Sequence, residues 1–224
     1  MDQIPLTRIQ KLIGRRMLQS KRTKPCFYLE VKADITELMA ARPKLRKSFG
    51  VRITTNAFYV RALSLAAREY PLSTGRFLND GRIELVEAIN VGFAVNAPQG
   101  LVVPVVRNAF DKSLPEIARE EKLLTDKARD NQLTLDEIEG ETIALSNLGA
   151  YDMDSFLGIV PPPASTILAV GNVLTELVCR NDTPAVRKMV SLSLAADHRI
   201  MDAFYAARVL SFIKDKLQQP QQLI

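Results

Sequence analysis

The residues SLSLAADHRIMDAF, from Ser191 to Phe204, contain the single histidine of the 224-residue chain. A β-strand is predicted over residues 188–195 and an α-helix from Asp202 to Leu217, so His198 lies at their junction. A lone histidine is usually a surface residue or a hydrogen-bonded core residue. A junction between a strand and a helix can also hold a functional side chain on rigid elements, and both interpretations are open at this point.

Length and composition indicate a soluble globular protein. A chain of 224 residues can form one large domain or two small ones, with 47% hydrophobic and 25% charged residues. No apolar run approaches the roughly 20 residues that cross a bilayer, and the first residues lack the apolar segment of a signal peptide. Cys26 and Cys179 lie far apart and fit no metal-binding spacing. We therefore expect buried free thiols, no metal site, no membrane contact and a cytoplasmic location.

The positive charge of the chain has two explanations. A net charge of +5 and a pI near 9.3 are found in proteins that bind nucleic acid. The basic residues are dispersed among acidic ones, however, with local excesses over residues 8–24 and 42–52, and aromatic residues are not interleaved with them. We therefore predict no nucleic-acid binding, and a basic rim that attracts an anionic substrate such as a nucleotide-bearing cofactor.

Helix and strand patterns alternate along the chain. Apolar spacing predicts further helices over residues 7–20, 36–47, 54–70 and 111–133, the last with Leu114, Ile117, Leu123 and Leu124 inward. Further strands are predicted over residues 26–35, 75–78, 82–86, 141–150, 165–170 and 176–179. Residues 89–106, INVGFAVNAPQGLVVPVV, predict two strands buried on both faces and joined by a turn. This order predicts an α/β fold of one domain, with a large mixed β-sheet flanked by helices.

The motif DHRIMDA, residues 197–203, resembles the Asp-His-Arg-x-x-Asp-Gly signature of the catalytic domain of dihydrolipoamide acyltransferases. These are the E2 components of 2-oxo acid dehydrogenase complexes, and their fold is related to chloramphenicol acetyltransferase. Other segments resemble the family in the same order: IPLTRIQKLIGRRM, KADITELMAAR, VGFAVNAPQGLVVPVVRNA, IALSNLGAYD and FIKDKLQQPQQLI. The resemblance implies a chloramphenicol acetyltransferase-like catalytic domain over residues 1–224, without lipoyl or subunit-binding domains.

The resemblance also implies a reaction, in which an acyl group moves between the thiol of dihydrolipoamide, borne on a lipoyl-lysine, and the thiol of coenzyme A. His198 is then the general base for the attacking thiol. A free thiol has a pKa near 8.5 and an imidazole near 6.5, so this proton transfer is uphill by only about 2.7 kcal/mol. Ser146 is then the donor to the tetrahedral oxyanion, a contribution of roughly 3–4 kcal/mol for such a group.

The resemblance also implies supporting roles for residues around His198. Asp202 matches the second aspartate of the signature, which the family uses to brace the loop through an ion pair with an arginine. Arg15 or Arg16 in the first helix is the expected partner. Asp197 and Arg199 are expected to orient the loop.

The family further implies partners. Its active site lies between subunits of a homotrimer, with histidine from one subunit and serine from its neighbour. A separate domain supplies the lipoyl group, and the complex contains a 2-oxo acid decarboxylase and a dihydrolipoamide dehydrogenase. Family trimers build cubic or dodecahedral cores through an apolar tail. Leu223 and Ile224, expected to be exposed, either insert into a neighbouring subunit or form a frayed terminus.

The sequence departs from the family at several positions. Ala203 replaces the usual glycine, Gly158 and Pro161 replace a proline and an asparagine, and residues 150–156 lack the usual glycines. We expect Ala203 to be tolerated, whereas the altered segment over residues 158–163 leaves the acyl-group preference open. The core begins at Met1, which fits a catalytic fragment or a natural stand-alone form.

Two other functions are open. An acetyltransferase of a small hydroxyl acceptor commonly has a second histidine before the catalytic one, where this chain has Asp197. A catalytically degenerate core would serve as an assembly scaffold, although His198, Ser146 and Asp202 are all retained. The sequence does not identify the acyl group, which is acetyl, succinyl, branched-chain or another.

Overall fold

The described part of the chain contains five α-helices at the places where the sequence predicts them. The computed structural model describes residues 3–6, 8–78, 80–180 and 182–224, so Thr7, the predicted start of the first helix, lies outside the described residues. The helices are α1 (Arg8–Thr23), α2 (Thr36–Phe49), α3 (Thr55–Glu69), α4 (Leu114–Arg129) and α5 (Ala203–Gln218). Within these ranges, no helix has both the length and the apolar character needed to span a membrane.

One large mixed sheet forms the centre of the fold, as predicted. Its strands in spatial order are β1 (Cys26–Asp34), β10 (Thr183–Asp197), β9 (Thr166–Arg180), β8 (Ile143–Asn147), β4 (Val91–Phe93) and β7 (Val105–Val106). β8 runs parallel to β4 and β9, and the other neighbours are antiparallel. Two small sheets pair β2 (Arg76–Phe77) with β3 (Ile83–Glu84) and β5 (Val95–Ala97) with β6 (Gly100–Val102).

Three local predictions are wrong. The strands expected over residues 165–170 and 176–179 are one continuous strand, β9. Residues 89–106 form four short strands instead of two, because Pro104 has no N–H to continue the ladder between β4 and β7. The predicted burial on both faces is also wrong, since Leu101 is 49% exposed. Leu123 is 54% exposed, because it lies about 100° around α4 from the buried Leu124.

The two faces of the sheet are covered differently. The helices α2, α3 and α5 pack on one face and enclose the main core. Thr54 begins α3 as its N-cap, because its side chain accepts the Ala57 N–H. The opposite face carries a smaller apolar cluster, formed by Ala144, Val160, Ile167 and Ala195.

The helix α1 fastens residues 160–164 beside that second face. Arg16 and Ser20 lie four residues apart on one side of α1, and Lys24 follows four residues later, directly after the helix ends. Each donates a hydrogen bond to a backbone carbonyl of this segment. Arg16 also pairs with the buried carboxylate of Glu141 at 2.9 Å. Because the segment leads directly into β9, α1 helps to fix the sheet edge at which β10 ends.

Candidate active site

His198 stands immediately after β10, at the sheet edge where β1 begins. The Asp197 N–H donates to the Ser165 carbonyl at 3.0 Å, and the His198 N–H donates to the Pro25 carbonyl at 3.1 Å. The imidazole lies beside the Phe27 ring, with ring centroids 4.9 Å apart. His198 is exposed, so this loop presents an accessible imidazole on a rigid support.

The two neighbours of His198 form a salt bridge. Asp197 is 1% exposed, and its two oxygens accept from the Arg199 guanidinium at 3.0 and 2.6 Å. These hydrogen bonds raise the pKa of Arg199, because they favour its charged form. The pair that the sequence suggests as a support for the loop is therefore in contact, and its effect on catalysis stays a prediction.

Asp202 is the N-cap of α5. Its Oδ1 accepts the Tyr205 N–H at 2.7 Å. The predicted ion pair with Arg15 or Arg16 is not formed within the chain, because Arg16 pairs with Glu141 and Arg15 is exposed to solvent. The reason is placement: α1 lies near Glu141, two residues before β8, whereas the Asp202 carboxylate faces the first turn of its own helix.

Ser146 lies near the carboxyl end of β8 and is half-buried. Its register partner on β9 is Ala169, which in turn pairs with Ser193 of β10. From Ser193 the chain runs five residues to His198, away from the end of the sheet at which β8 ends. At about 3.3 Å per residue and about 4.8 Å between strands, Ser146 and His198 are roughly 19 Å apart. One copy of the chain therefore does not bring the two predicted catalytic groups together.

A polar cavity of about 510 Å³ opens beside the end of β8. Its wall includes Asn56, Asn147 and Asn172. The Asn147 side chain donates to Asn56 Oδ1 at 2.7 Å and accepts the Gly149 N–H at 2.8 Å. These bonds hold the chain rigid directly after Ser146, although Asn147 rather than Ser146 lines the cavity.

A second cavity, of about 660 Å³, adjoins the first, since Met39 and Arg42 line both. Four basic residues surround it: Arg42, Arg46, Lys47 and Arg52. Burial, followed by the neighbouring charge of Arg52, lowers the pKa of Arg42. The cluster coincides with the excess of positive charge over residues 42–52, and its size and charge suit a phosphate-bearing ligand.

Lys24 and Cys26, on either side of Pro25, carry no functional signal in the sequence. Burial lowers the pKa of Lys24 although the negative charge of Asp197 opposes it. Burial, followed by the charge of Asp197, raises the pKa of the Cys26 thiol. Cys26 is half-buried and Cys179 is exposed, and both are free, so the prediction of free thiols is confirmed and the burial of Cys179 is wrong.

Two departures from the family pattern have a structural reason. Ala203 is the first residue of α5, where a methyl group is compatible with the helical backbone. A Cβ at Gly158 would lie 3.1 Å from the side chain of Ile167, so Gly158 lets Ile167 pack closer to the backbone than a larger residue would without a shift of Ile167. The consequence of Gly158 for acyl-group preference stays a prediction.

The expectation that Leu223 is exposed is wrong. Leu223 is fully buried in the main core of its own chain, whereas Ile224 is 54% exposed. The reason is that the turn Pro220–Leu223 after α5 folds back onto α2 and α3. Leu223 thus stabilises its own chain and does not project toward a neighbour.

Comparisons with known proteins agree with these features. The family described as 2-oxoacid dehydrogenases acyltransferase (catalytic domain) matches residues 1–224. The chain is 34% identical over 225 residues to the dihydrolipoyllysine-residue acetyltransferase component of the pyruvate dehydrogenase complex of Rickettsia felis, covering 99% of the chain and 54% of that relative. It is 33% identical over 221 residues to the lipoamide acyltransferase component of the branched-chain alpha-keto acid dehydrogenase complex of Bacillus subtilis, covering 96% and 52%. The chain thus spans about half the length of these curated relatives.

Solved structures show the same fold. The dihydrolipoamide acetyltransferase of Azotobacter vinelandii superposes with a TM-score of 0.95 at 30% identity, covering 100% of this chain and 93% of that chain. A chloramphenicol acetyltransferase superposes with a TM-score of 0.56 at 17% identity, covering 98% and 99%, which confirms the predicted fold class. The mixed sheet, the His198 loop and the full-length match agree with one another. The chain belongs to the 2-oxoacid dehydrogenase acyltransferase family and corresponds to its catalytic domain.

Proposed function

We propose that the chain transfers an acyl group between dihydrolipoamide and coenzyme A, as an E2 acyltransferase of a 2-oxo acid dehydrogenase complex. The observation that carries the proposal is a spacing. Crystallographic and enzymatic investigations of the Azotobacter vinelandii acetyltransferase concern the catalytic roles of a serine, a histidine 52 positions later, and an asparagine four positions after that. Ser146, His198 and Asp202 have the same two intervals, with aspartate in the place of asparagine.

In the proposed reaction His198 takes the proton from the attacking thiol. The resulting thiolate adds to the carbonyl carbon of the thioester, and Ser146 donates a hydrogen bond to the oxyanion that forms. Collapse of the tetrahedral intermediate breaks the bond to the second sulfur, which recovers the proton from the imidazolium. The Asp197–Arg199 pair and the Asp202 cap hold the loop, so that the imidazole is oriented before reaction.

The separation of roughly 19 Å between Ser146 and His198, estimated from strand geometry, supports an active site built between two copies. We propose a homotrimer in which His198 of one copy meets Ser146 of the next. In this scheme coenzyme A occupies the two adjoining cavities, with its phosphates near the basic residues 42–52. A lipoyl-lysine on a separate domain approaches beside His198.

The same proposal extends to the surroundings of the enzyme. Residues 1–224 act as the catalytic domain in a cytoplasmic complex with a 2-oxo acid decarboxylase and a dihydrolipoamide dehydrogenase. The trimers assemble further into a cubic or dodecahedral core. The acyl group remains to be assigned, since the two relatives compared above belong to a pyruvate and a branched-chain complex at nearly equal identity.

Acyl transfer from a panel of acyl-CoA thioesters to dihydrolipoamide tests the proposal. Wild type is compared with His198→Ala, for which we expect a loss of at least about 100-fold in kcat, and with Ser146→Ala, for which we expect about 100- to 1000-fold. Ser193→Ala is a matched control, because Ser193 is buried in the same row of the sheet and its Oγ has no hydrogen-bond partner among the described residues.

The best donor in this panel identifies the acyl group. If assembled wild type transfers none of the acyl groups, the acyltransferase proposal is wrong and the scaffold hypothesis replaces it. Equal losses in Ser146→Ala and Ser193→Ala would remove Ser146 from the mechanism.

A further inference from the structure

The Arg199 guanidinium is held from two directions. In its plane, Nε and Nη2 donate to the two oxygens of Asp197. Above its face lies the ring of Phe77, with Arg199 Cζ 4.3 Å from the ring centroid, which is within the range of a cation–π contact. Phe77 belongs to β2, far from the loop in sequence. A group outside the DHRIMDA motif therefore contacts the residue that follows His198.

The hairpin of β2 and β3 makes a second contact with the same loop. Phe77 pairs with Ile83 across the hairpin. A Cβ built on Gly75 would lie 3.1 Å from side-chain carbons of both Ile83 and Ile200, so Ile200 packs directly on the backbone at the base of the hairpin. Arg199 and Ile200 are consecutive residues of the His198 loop. The hairpin is thus a support for this loop, and Phe77 is its contact with the charged pair.

We propose that Phe77 is a positioning residue for His198, acting through Arg199. The ring fixes the guanidinium on Asp197, and the pair in turn fixes the backbone on both sides of His198. The contact needs an aromatic face, because the guanidinium is attracted by the ring quadrupole and not by side-chain volume alone. This inference rests on the proposed role of His198 as the base, and it adds a residue that the signature motif does not contain.

Substitutions at Phe77 separate the effect of the aromatic face from the effect of side-chain size. We expect Phe77→Leu to lower kcat about three- to thirtyfold with little change in KM, and Phe77→Tyr to retain wild-type kcat. Phe110→Leu is the matched control, because the Phe110 ring lies under Arg68 at 5.3 Å, away from the loop. In an Arg199→Met background, Phe77→Leu should have no further effect on kcat, which a general loss of stability would not reproduce.

A second measurement does not depend on acyl transfer. His198 is the single histidine, so in an assembled, tag-free protein labelled at histidine its imidazole gives a unique NMR signal. Phe77→Leu should shift or broaden this signal, while Phe77→Tyr and Phe110→Leu leave it in place. An unchanged His198 signal in folded Phe77→Leu, or an undiminished effect of this substitution beside Arg199→Met, overturns the inference. If Phe77→Leu changes the His198 signal but the wild type transfers no acyl group, the contact between Phe77 and the loop stands and the proposed function is rejected.

Discussion

A mixture of two inactive variants tests whether the active site is shared between copies. His198→Ala lacks the base and Ser146→Ala lacks the oxyanion donor, so each variant alone is expected to lose at least about 100-fold in activity. A site between copies takes His198 from one subunit and Ser146 from the next. A trimer that contains both variants can therefore hold a site with both residues intact.

The structure and random assortment set the magnitude. The two side chains lie toward opposite ends of the strands, roughly 19 Å apart by strand geometry. Each complete site must therefore take His198 and Ser146 from different subunits. After unfolding and joint refolding of equal amounts, subunits of a cyclic trimer assort at random. A given site then draws an intact His198 with a probability of about one half and an intact Ser146 with the same probability. About a quarter of the sites, and about a quarter of the wild-type rate, should be restored.

The assay is the initial rate of acyl transfer to dihydrolipoamide, with trimer formation verified by light scattering. Variants that are mixed without unfolding are the first control. The second control is wild type co-refolded with the variant that carries both His198→Ala and Ser146→Ala. If the site is shared between copies, about a quarter of the sites should be intact; if the site lies within one copy, about half should be intact. A co-refolded mixture that stays at the level of the single variants, while refolded wild type recovers fully, would refute the shared site.

Three further predictions concern stability. Burial raises the pKa of Glu121 above its ordinary value of 4.5, although the Thr54 hydroxyl donates a hydrogen bond to its carboxylate. The folded protein therefore holds this proton more tightly than the unfolded chain, and the free energy of unfolding should fall as pH rises from about 4.5 through the raised pKa. Glu121→Gln should lack this fall, and urea unfolding of both proteins at several pH values would show it. Leu223→Ala should lower the free energy of unfolding by about 2–5 kcal/mol and Ile224→Ala by much less, measured in the same way; equal effects would contradict the burial of Leu223. Ala203→Gly, which restores the family residue, should cost up to about 1 kcal/mol by thermal or urea unfolding without raising kcat, and a faster enzyme would show that the methyl group hinders the loop.

The sequence alone determines much of the local structure. The five helices, the strand before His198 and the cap at Thr54 follow from patterns within about fifteen residues, where periodicity and hydrogen bonding to the nearest backbone act. The single histidine at a strand–helix junction draws attention to the correct loop, and the signature motif around it predicts the family that the comparisons show. The charge excess over residues 42–52 likewise indicates a cationic surface, although not its place beside β8.

The tertiary structure decides what depends on contacts between distant segments. It merges two predicted strands into β9, buries Leu223 in its own core, and pairs Arg16 with Glu141 in place of Asp202. It also places Phe77 over Arg199. Strand direction separates Ser146 from His198, because β8 and β10 run in opposite directions in the sheet. No local pattern contains this information, since pairing of strands and packing of faces are properties of the whole chain.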